Sequence, residues 1–189
     1  MVYKTFRLKD MRVARLDWLN EEDLPEVVKA LNSVIREGKY LYLNNEILDM
    51  KEEHQWFERS LKAGMLYLVA RVEGKAAGGA SMHPQTDKRA HVAQFGIFIC
   101  DGYRNLGRGT AITKEFIKIA KKRGFEILQL SVFANNTRAF NVYKKCGFKE
   151  IGRLSRDIKF LNGEYTDRII LELPLKVYTS DYRARTRGL

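Results

Sequence analysis

The chain has 189 residues, 45% of them hydrophobic, and its 34 Lys and Arg against 23 Asp and Glu give a formal net charge of +11. That length and patterning suit one domain with its own core and argue against disorder, while the charge favours anionic partners without choosing among nucleic acid, phosphorylated small molecules and acidic surfaces. No run approaches the roughly 18 consecutive apolar residues of a membrane span, the polar start Met1-Val2-Tyr3-Lys4 has no signal-peptide core, and Cys100 and Cys146 lie far apart without metal-ligand spacing. A cytoplasmic protein with no zinc site, no disulfide framework and no membrane partner is expected, the two thiols being packing residues.

An extended segment around Tyr3 to Trp18 opens the chain. Asp23-Leu24-Pro25-Glu26 then supplies an N-cap, a proline in the first turn and a glutamate three residues after the cap. Leu24, Val27, Val28, Leu31 and Val34 follow at helical spacing, with Gly38 as the stop. A looser stretch, Lys39 to Met50, leads to a second helix, Lys51 to Lys62, bearing Trp56, Phe57 and Leu61 on one side.

From Met65 the pattern becomes extended: Leu66 to Glu73, a turn at Gly74-Lys75, and Ala76 to His83 closed by Pro84 make a hairpin. A further strand, His91 to Ile99, runs into Arg104-Asn-Leu-Gly-Arg-Gly-Thr110 and the helical pattern Ala111 to Arg123. The strand Phe125 to Phe133 and the helix Asn136 to Cys146, stopped by Gly147, come next. Strand, glycine turn, helix and strand predict a right-handed crossover. Two last strands, Lys149 to Phe160 and Glu164 to Leu173, are joined at Leu161-Asn162-Gly163, where Asn-Gly signals a hairpin. We expect one domain over 1–175 and a basic tail over 176–189, with Lys176, Arg183, Arg185 and Arg187. No nucleic-acid module is recognisable, so nucleic acid is not the expected partner, and the possibility of a homodimer stays open.

A glycine turn from a strand into a helix leaves backbone N–H groups pointing outward at the positive end of the helix dipole, which makes a phosphate site. The P-loop pattern is absent, and Gly107-x-Gly109 lacks the third glycine of a dinucleotide fingerprint. What remains is R-x-x-G-x-G at Arg104, Gly107 and Gly109. Beyond it stands Val132-x-x-x-Asn136-x-x-Ala139-x-x-x-Tyr143-x-x-x-Gly147-Phe148. Together these residues resemble the GNAT superfamily of acetyl-CoA-dependent N-acetyltransferases, most closely from His91 to Phe148, with the order of elements extending the likeness from Met1 through Leu173.

The resemblance implies the GNAT fold, an α+β or α/β arrangement with a mixed, twisted central sheet of about seven strands and four helices. Its two central strands, His91 to Ile99 and Phe125 to Phe133, would splay to hold the pantetheine arm of coenzyme A, with Gly96 marking the distortion. The amides of Leu106, Gly107, Arg108, Gly109 and Thr110 would bind the pyrophosphate. Arg104 and Arg108 would add charge there, or be solvated on an exposed turn. The backbone of Ile97, Phe98 and Ile99 would pair with the pantetheine amides like another strand. Asn136 would reach the same arm, or serve as an ordinary helix cap.

Tyr143 matches the family's general acid: a phenol of pKa about 10 can protonate a leaving thiolate whose parent thiol has pKa about 8.5. Its plain alternative is a core tyrosine. Where many members carry a basic glutamate this chain has Gln94, which can position a water but not take a proton. Asp101, His91, His83 and Glu46 are the remaining candidates for the base, each also readable as ordinary turn, strand-end or surface residues. Glu46, Asp49, Glu52, Glu53 and Glu58 form a local acidic excess that would attract a cationic amine or simply face solvent. The expected reaction is direct transfer of an acetyl group to a primary amine of a small amine, amino acid, polyamine or protein N-terminus, without metal. The alternative is an acyl-CoA-binding regulator with little turnover.

Overall fold

The computed structural model describes residues 2–8 and 10–176; the tail over 177–189 lies outside the described residues. Eight strands form one sheet: β1 (Val2–Arg7), β2 (Val13–Trp18), β3 (Leu66–Val72), β4 (Lys75–Pro84), β5 (Val92–Ile99), β6 (Ile127–Phe133), β7 (Lys149–Lys159) and β8 (Tyr165–Pro174), in the order β1-β2-β3-β4-β5-β6-β8-β7. Four helices accompany them: α1 (Leu24–Ile35), α2 (Met50–Lys62), α3 (Arg108–Lys122) and α4 (Thr137–Lys145). The sheet is mixed, its one parallel pair being β5 with β6. The eighth strand arises because the opening segment breaks around Leu8 to Arg12, where Leu8 and Arg12 close a turn, into the antiparallel pair β1 and β2.

The start of α1 differs from the sequence expectation. A short 3-10 turn over Glu21–Asp23 precedes the helix, and the Asp23 carboxylate reaches back to the Asn20 amide instead of capping α1. The cause lies in β3: Arg71, buried there, draws Asp17, Asp23 and Glu26 onto its guanidinium, and Glu26 also accepts from the Ala76 amide at 2.7 Å. In α2, Asp49 does cap, accepting from the amides of Lys51 and Glu52. The Asn162-Gly163 turn joins β7 and β8 as expected, with Gly163 at φ 87° and Phe160 N–H bonded to Glu164 O.

Two apolar layers flank the sheet. Under α3 and α4 lie Leu68, Ala80, Met82, Phe95, Ile112, Phe116, Leu128, Leu130, Tyr143 and Phe148. Under α1 and α2 lie Leu24, Val27, Val34, Phe57, Val69, Phe98 and Cys100. Alternation along β4 and β5 therefore sends Met82 and Phe95 to the α3–α4 face and Phe98 to the α1–α2 face. Cys100 is buried and Cys146 half-buried, and both are free thiols.

Candidate active site

The parallel ladder between β5 and β6 is short. Val92, Ala93 and Gln94 pair with Ile127, Leu128 and Gln129, and there the pairing ends. Beyond that point β5 stays with β4 as far as Ile99 opposite Gly78, while β6 follows β8 as far as Phe133 opposite Arg168. The two strands part, and a cleft of about 570 Å³ opens through the middle of the sheet. The splay starts after Gln94, two residues before Gly96, whose register with Ser81 on β4 is undisturbed. The glycine does not mark the distortion; the diverging partners of β5 and β6 produce it.

At one end of the cleft the chain turns into α3. Asn105 and Gly107 both take left-handed backbone conformations, at φ 65° and 83°, which glycine adopts without the steric cost of a side chain. Gly107 is the N-cap residue and no side chain caps the helix, so the amides of Arg108, Gly109 and Thr110 stay free while Ala111 N–H begins the ladder on Gly107 O. Gly107, Gly109 and Thr110 line the cleft, whereas Leu106 packs against Leu8, Ala14, Val72 and Ala77. Uncapped amides at the start of a fifteen-residue helix fit a pyrophosphate.

Neither arginine of the turn is a solvated surface charge. Arg104 is clamped by Glu37, donating from its two terminal nitrogens at 2.7 and 2.5 Å, with its Nε on Ile99 O at 2.8 Å. Arg108 turns inward and is 1% exposed; it donates to Tyr103 O at 2.6 Å and packs on the Tyr103 ring. Its Nε and Nη2 have no hydrogen-bond partner among the described residues. Burial and the neighbouring Arg12 push its pKa down. The exposed cations at the cleft are Arg138 and Lys145 on α4.

The main chain of β5 is available at alternate residues. Cys100 N–H bonds Ala77 O, so in this antiparallel register Phe98 presents its backbone groups to β4 while Ile97 and Ile99 present theirs to the cleft. Ile99 O is taken by Arg104. The groups left for an extended ligand are the N–H and C=O of Ile97 and the N–H of Ile99. Of the three residues expected to pair there, Phe98 contributes through its place in the cleft wall and not through its main chain.

Across the cleft, Asn136 caps α4 through its Oδ1 on the Ala139 amide at 3.2 Å and also lines the cleft. The two readings of this residue are compatible, because the cap uses the oxygen and leaves the Nδ2 donors. Tyr143, 6% exposed, lies two turns further along the same face of α4 with its ring edge-on to Phe148 at 5.9 Å, and it too lines the cleft. Its hydroxyl makes no hydrogen bond among the described residues, and burial pushes its pKa well above the ordinary phenol value. Such a phenol holds its proton at every physiological pH.

The other mouth of the cleft opens on the α1–α2 side. The loop between those helices carries Tyr40, Leu41 and Tyr42 over it. Tyr42 and Ser131 share a hydrogen bond of 2.9 Å, Tyr42 meets Phe133 edge-on at 5.0 Å, and Tyr40 covers the Arg104 guanidinium at 5.2 Å. Asn32 on α1 fixes the loop's far end by bonding both the N–H and C=O of Ile47. Sequence reasoning missed this aromatic strap, although Tyr-Leu-Tyr in an otherwise polar linker was a visible signal.

Gln94 lines the cleft; Asp101, His91, His83 and Glu46 do not. Asp101 is 88% exposed beside Arg104, and Glu46 is held by Arg36 at 2.6 Å. The rest of the acidic excess is dispersed in the same way: Asp49 caps α2, Glu58 faces Lys62, and Glu53 is partly desolvated, which raises its pKa. No Asp, Glu or His lines the cleft among the described residues.

A model of the Acetyltransferase (GNAT) family matches residues 30–148. The L-amino acid N-acetyltransferase AaaT of Escherichia coli is 33% identical over 130 residues, 67% of this chain and 80% of that protein. An N-alpha-acetyltransferase of Sulfurisphaera tokodaii is 27% identical over 174 residues, 91% of this chain and 95% of that one. Among solved structures, a GNAT-family acetyltransferase from Streptococcus pneumoniae superposes with a TM-score of 0.78 at 26% identity, covering 85% of this chain and 99% of that chain. A provisionally assigned Salmonella typhimurium acetyltransferase solved with acetyl-CoA superposes with a TM-score of 0.79 at 16% identity, covering 88% and 96%. The split sheet, the uncapped glycine turn and these likenesses converge: the chain belongs to the GNAT family and is an N-acetyltransferase.

Proposed function

We propose that this enzyme transfers the acetyl group of acetyl-CoA to an α-amino group, that of an amino acid or of a peptide N-terminus, by direct attack. The observation that carries the reading is the cleft lining, which holds a protonated phenol at Tyr143 but no Asp, Glu or His among the described residues. A polyamine or aminoglycoside carries several charges that such a lining would leave uncompensated. A side-chain amine of pKa about 10.4 would need a base to be freed of its proton, whereas a peptide α-amine of pKa about 8 is already deprotonated to a useful fraction near neutral pH. The names of the Escherichia coli and Sulfurisphaera relatives point the same way.

In this reading the amides of Arg108 to Thr110 hold the pyrophosphate, and Ile97 and Ile99 hold the pantetheine arm by their main chain. Acetyl-CoA supplies the activated acyl group. Gln94 orients a water or the incoming amine. Tyr143 Oη donates its proton to the departing sulfur. Direct attack is favoured over a thioester on the protein because both thiols lie outside the cleft and burial raises the pKa of each, suppressing the thiolate. The test is acetyl-CoA-dependent thiol release over free amino acids, short peptides with open N-termini, polyamines and aminoglycosides. Release confined to α-amines is expected; faster turnover of a polyamine would overturn the assignment.

A further inference from the structure

Transfer to an amine leaves one proton to remove from the nitrogen, and among the described residues the cleft lining holds no Asp, Glu or His to take it. The acid stands on the α3–α4 face, since Tyr143 belongs to that layer. The mouth of the cleft beneath Tyr40 and Tyr42 opens on the opposite, α1–α2 side, and an amine enters from there. On β4 the residues pointing to that face alternate with Ala80 and Met82 of the α3–α4 layer, and they include Ser81 and His83. His83 Nε2 and Ser81 Oγ are 3.1 Å apart.

Cross-strand register brings this pair to the site. Ser81 is opposite Gly96 and His83 opposite Gln94, and both Gly96 and Gln94 line the cleft. Directly opposed residues share a face of the sheet. A Cβ on Gly96 would find Ser81 Oγ at 3.6 Å and nothing else within 4 Å, so the Ser81 hydroxyl lies directly beside Gly96, which lines the cleft. Burial keeps the His83 imidazole below its ordinary pKa, hence neutral near pH 7.

We propose that Ser81 and His83 form a proton relay that carries the amine proton out of the cleft. Its chemistry rests on the direct-transfer reading above. In the resting enzyme the Ser81 hydroxyl donates to Nε2 of a His83 protonated on Nδ1. When the amine nitrogen bonds to the acyl carbon it becomes far more acidic. Its surplus proton passes to Ser81 Oγ, directly or through a water held by Gln94, as the Ser81 proton moves to His83 Nε2. The C–S bond breaks, sulfur leaves with the bonding pair and takes a proton from Tyr143 Oη. His83 then returns its proton to solvent and Tyr143 is reprotonated, so amine and thioester become amide and thiol with no net change in the protein. His83 acts through Ser81 and is a positioning residue for the proton, not a group that touches substrate.

The test compares His83→Ala, Ser81→Ala and the double variant on whichever amine the unmodified enzyme turns over fastest, so the relay is judged even if that amine is not an α-amine. Expected are a kcat about 10- to 100-fold lower for each single variant, an unchanged KM for acetyl-CoA, no further loss in the double variant, and partial recovery of His83→Ala on adding imidazole. Coenzyme A affinity and melting temperature serve as folding controls. A kcat within about twofold of the unmodified enzyme, or single losses that multiply in the double variant without imidazole rescue, would overturn the relay.

Discussion

Arg104 and Glu37 form a two-pronged ion pair, at 2.7 and 2.5 Å, that ties the glycine turn to the end of α1, and the same guanidinium holds Ile99 O. The motif arginine therefore works as a strut that sets the turn and the last residues of β5 relative to one another. Arg104→Lys keeps the charge but loses the planar fork. We expect its KM for acetyl-CoA to rise about tenfold with kcat nearly unchanged, read from initial rates; Glu37→Gln should reproduce part of the effect even though Glu37 lies outside the cleft.

Tyr143→Phe removes a proton donor in the cleft that burial keeps protonated. Turnover should fall about 10²-fold or more, while coenzyme A binding by calorimetry changes little. Because the folded-state pKa is raised, the neutral phenol persists above the ordinary value of about 10. The alkaline limb of kcat, measured up to pH 10, should not be set by this group.

Gly109 separates folding from binding. A methyl there would sit 3.6 Å from Ile99 Cδ1 and 3.7 Å from Val142 Cγ1, ordinary contacts within the protein. Gly109→Ala should melt like the parent yet raise the KM for acetyl-CoA, since the methyl occupies space beside the free amides. Gly107→Val should do both kinds of harm, because a β-branched residue is strained at φ 83°.

Arg108 is a buried cation with two donors unpartnered among the described residues. A buried charge carries a desolvation penalty of roughly several kcal/mol that well-packed apolar groups avoid. Arg108→Met should raise the melting temperature of the ligand-free protein and shrink the stabilisation that added coenzyme A produces, both readable by thermal scanning.

Arg71 holds Asp17, Asp23 and Glu26 together at 9% side-chain exposure. Burial alone would raise the Glu26 carboxyl, but hydrogen bonds from Arg71 and the Ala76 amide outweigh it and hold its pKa below the ordinary range. Its contribution to stability is present above the ordinary carboxylate pKa and is lost as pH falls through the depressed folded value. Arg71→Ala should cost about 3 kcal/mol or more at neutral pH and flatten the fall of melting temperature on acidification.

The helices, the hairpin turn and the crossover could be read because each rests on local chemistry: apolar spacing in α1 and α3, Gly147 as a stop after α4, Asn162-Gly163 as a turn. The glycine turn was legible for the same reason. What escaped was set by contacts distant in sequence. Asp23 has the right place for a cap, yet Arg71, 48 residues away, claims it. Arg104 has the look of a phosphate ligand until Glu37, 67 residues off, takes it. Tyr42 on Ser131 spans 89 residues, and no period or motif in a linker announces a partner that far along the chain.

The gap between β5 and β6 leaves backbone atoms of Ile97 and Ile99 facing the cleft, the surface that, in the proposed reading, an extended ligand would meet. Point mutation exchanges side chains and leaves those atoms where they are. A binding surface of this kind drifts very little as sequences diverge, which suits a fold shared with relatives that keep only a quarter to a third of the residues. It also means that an inhibitor reading the same backbone edge would be hard to escape by substitution, whereas one leaning on Tyr42 or Phe133 could be escaped by a single exchange.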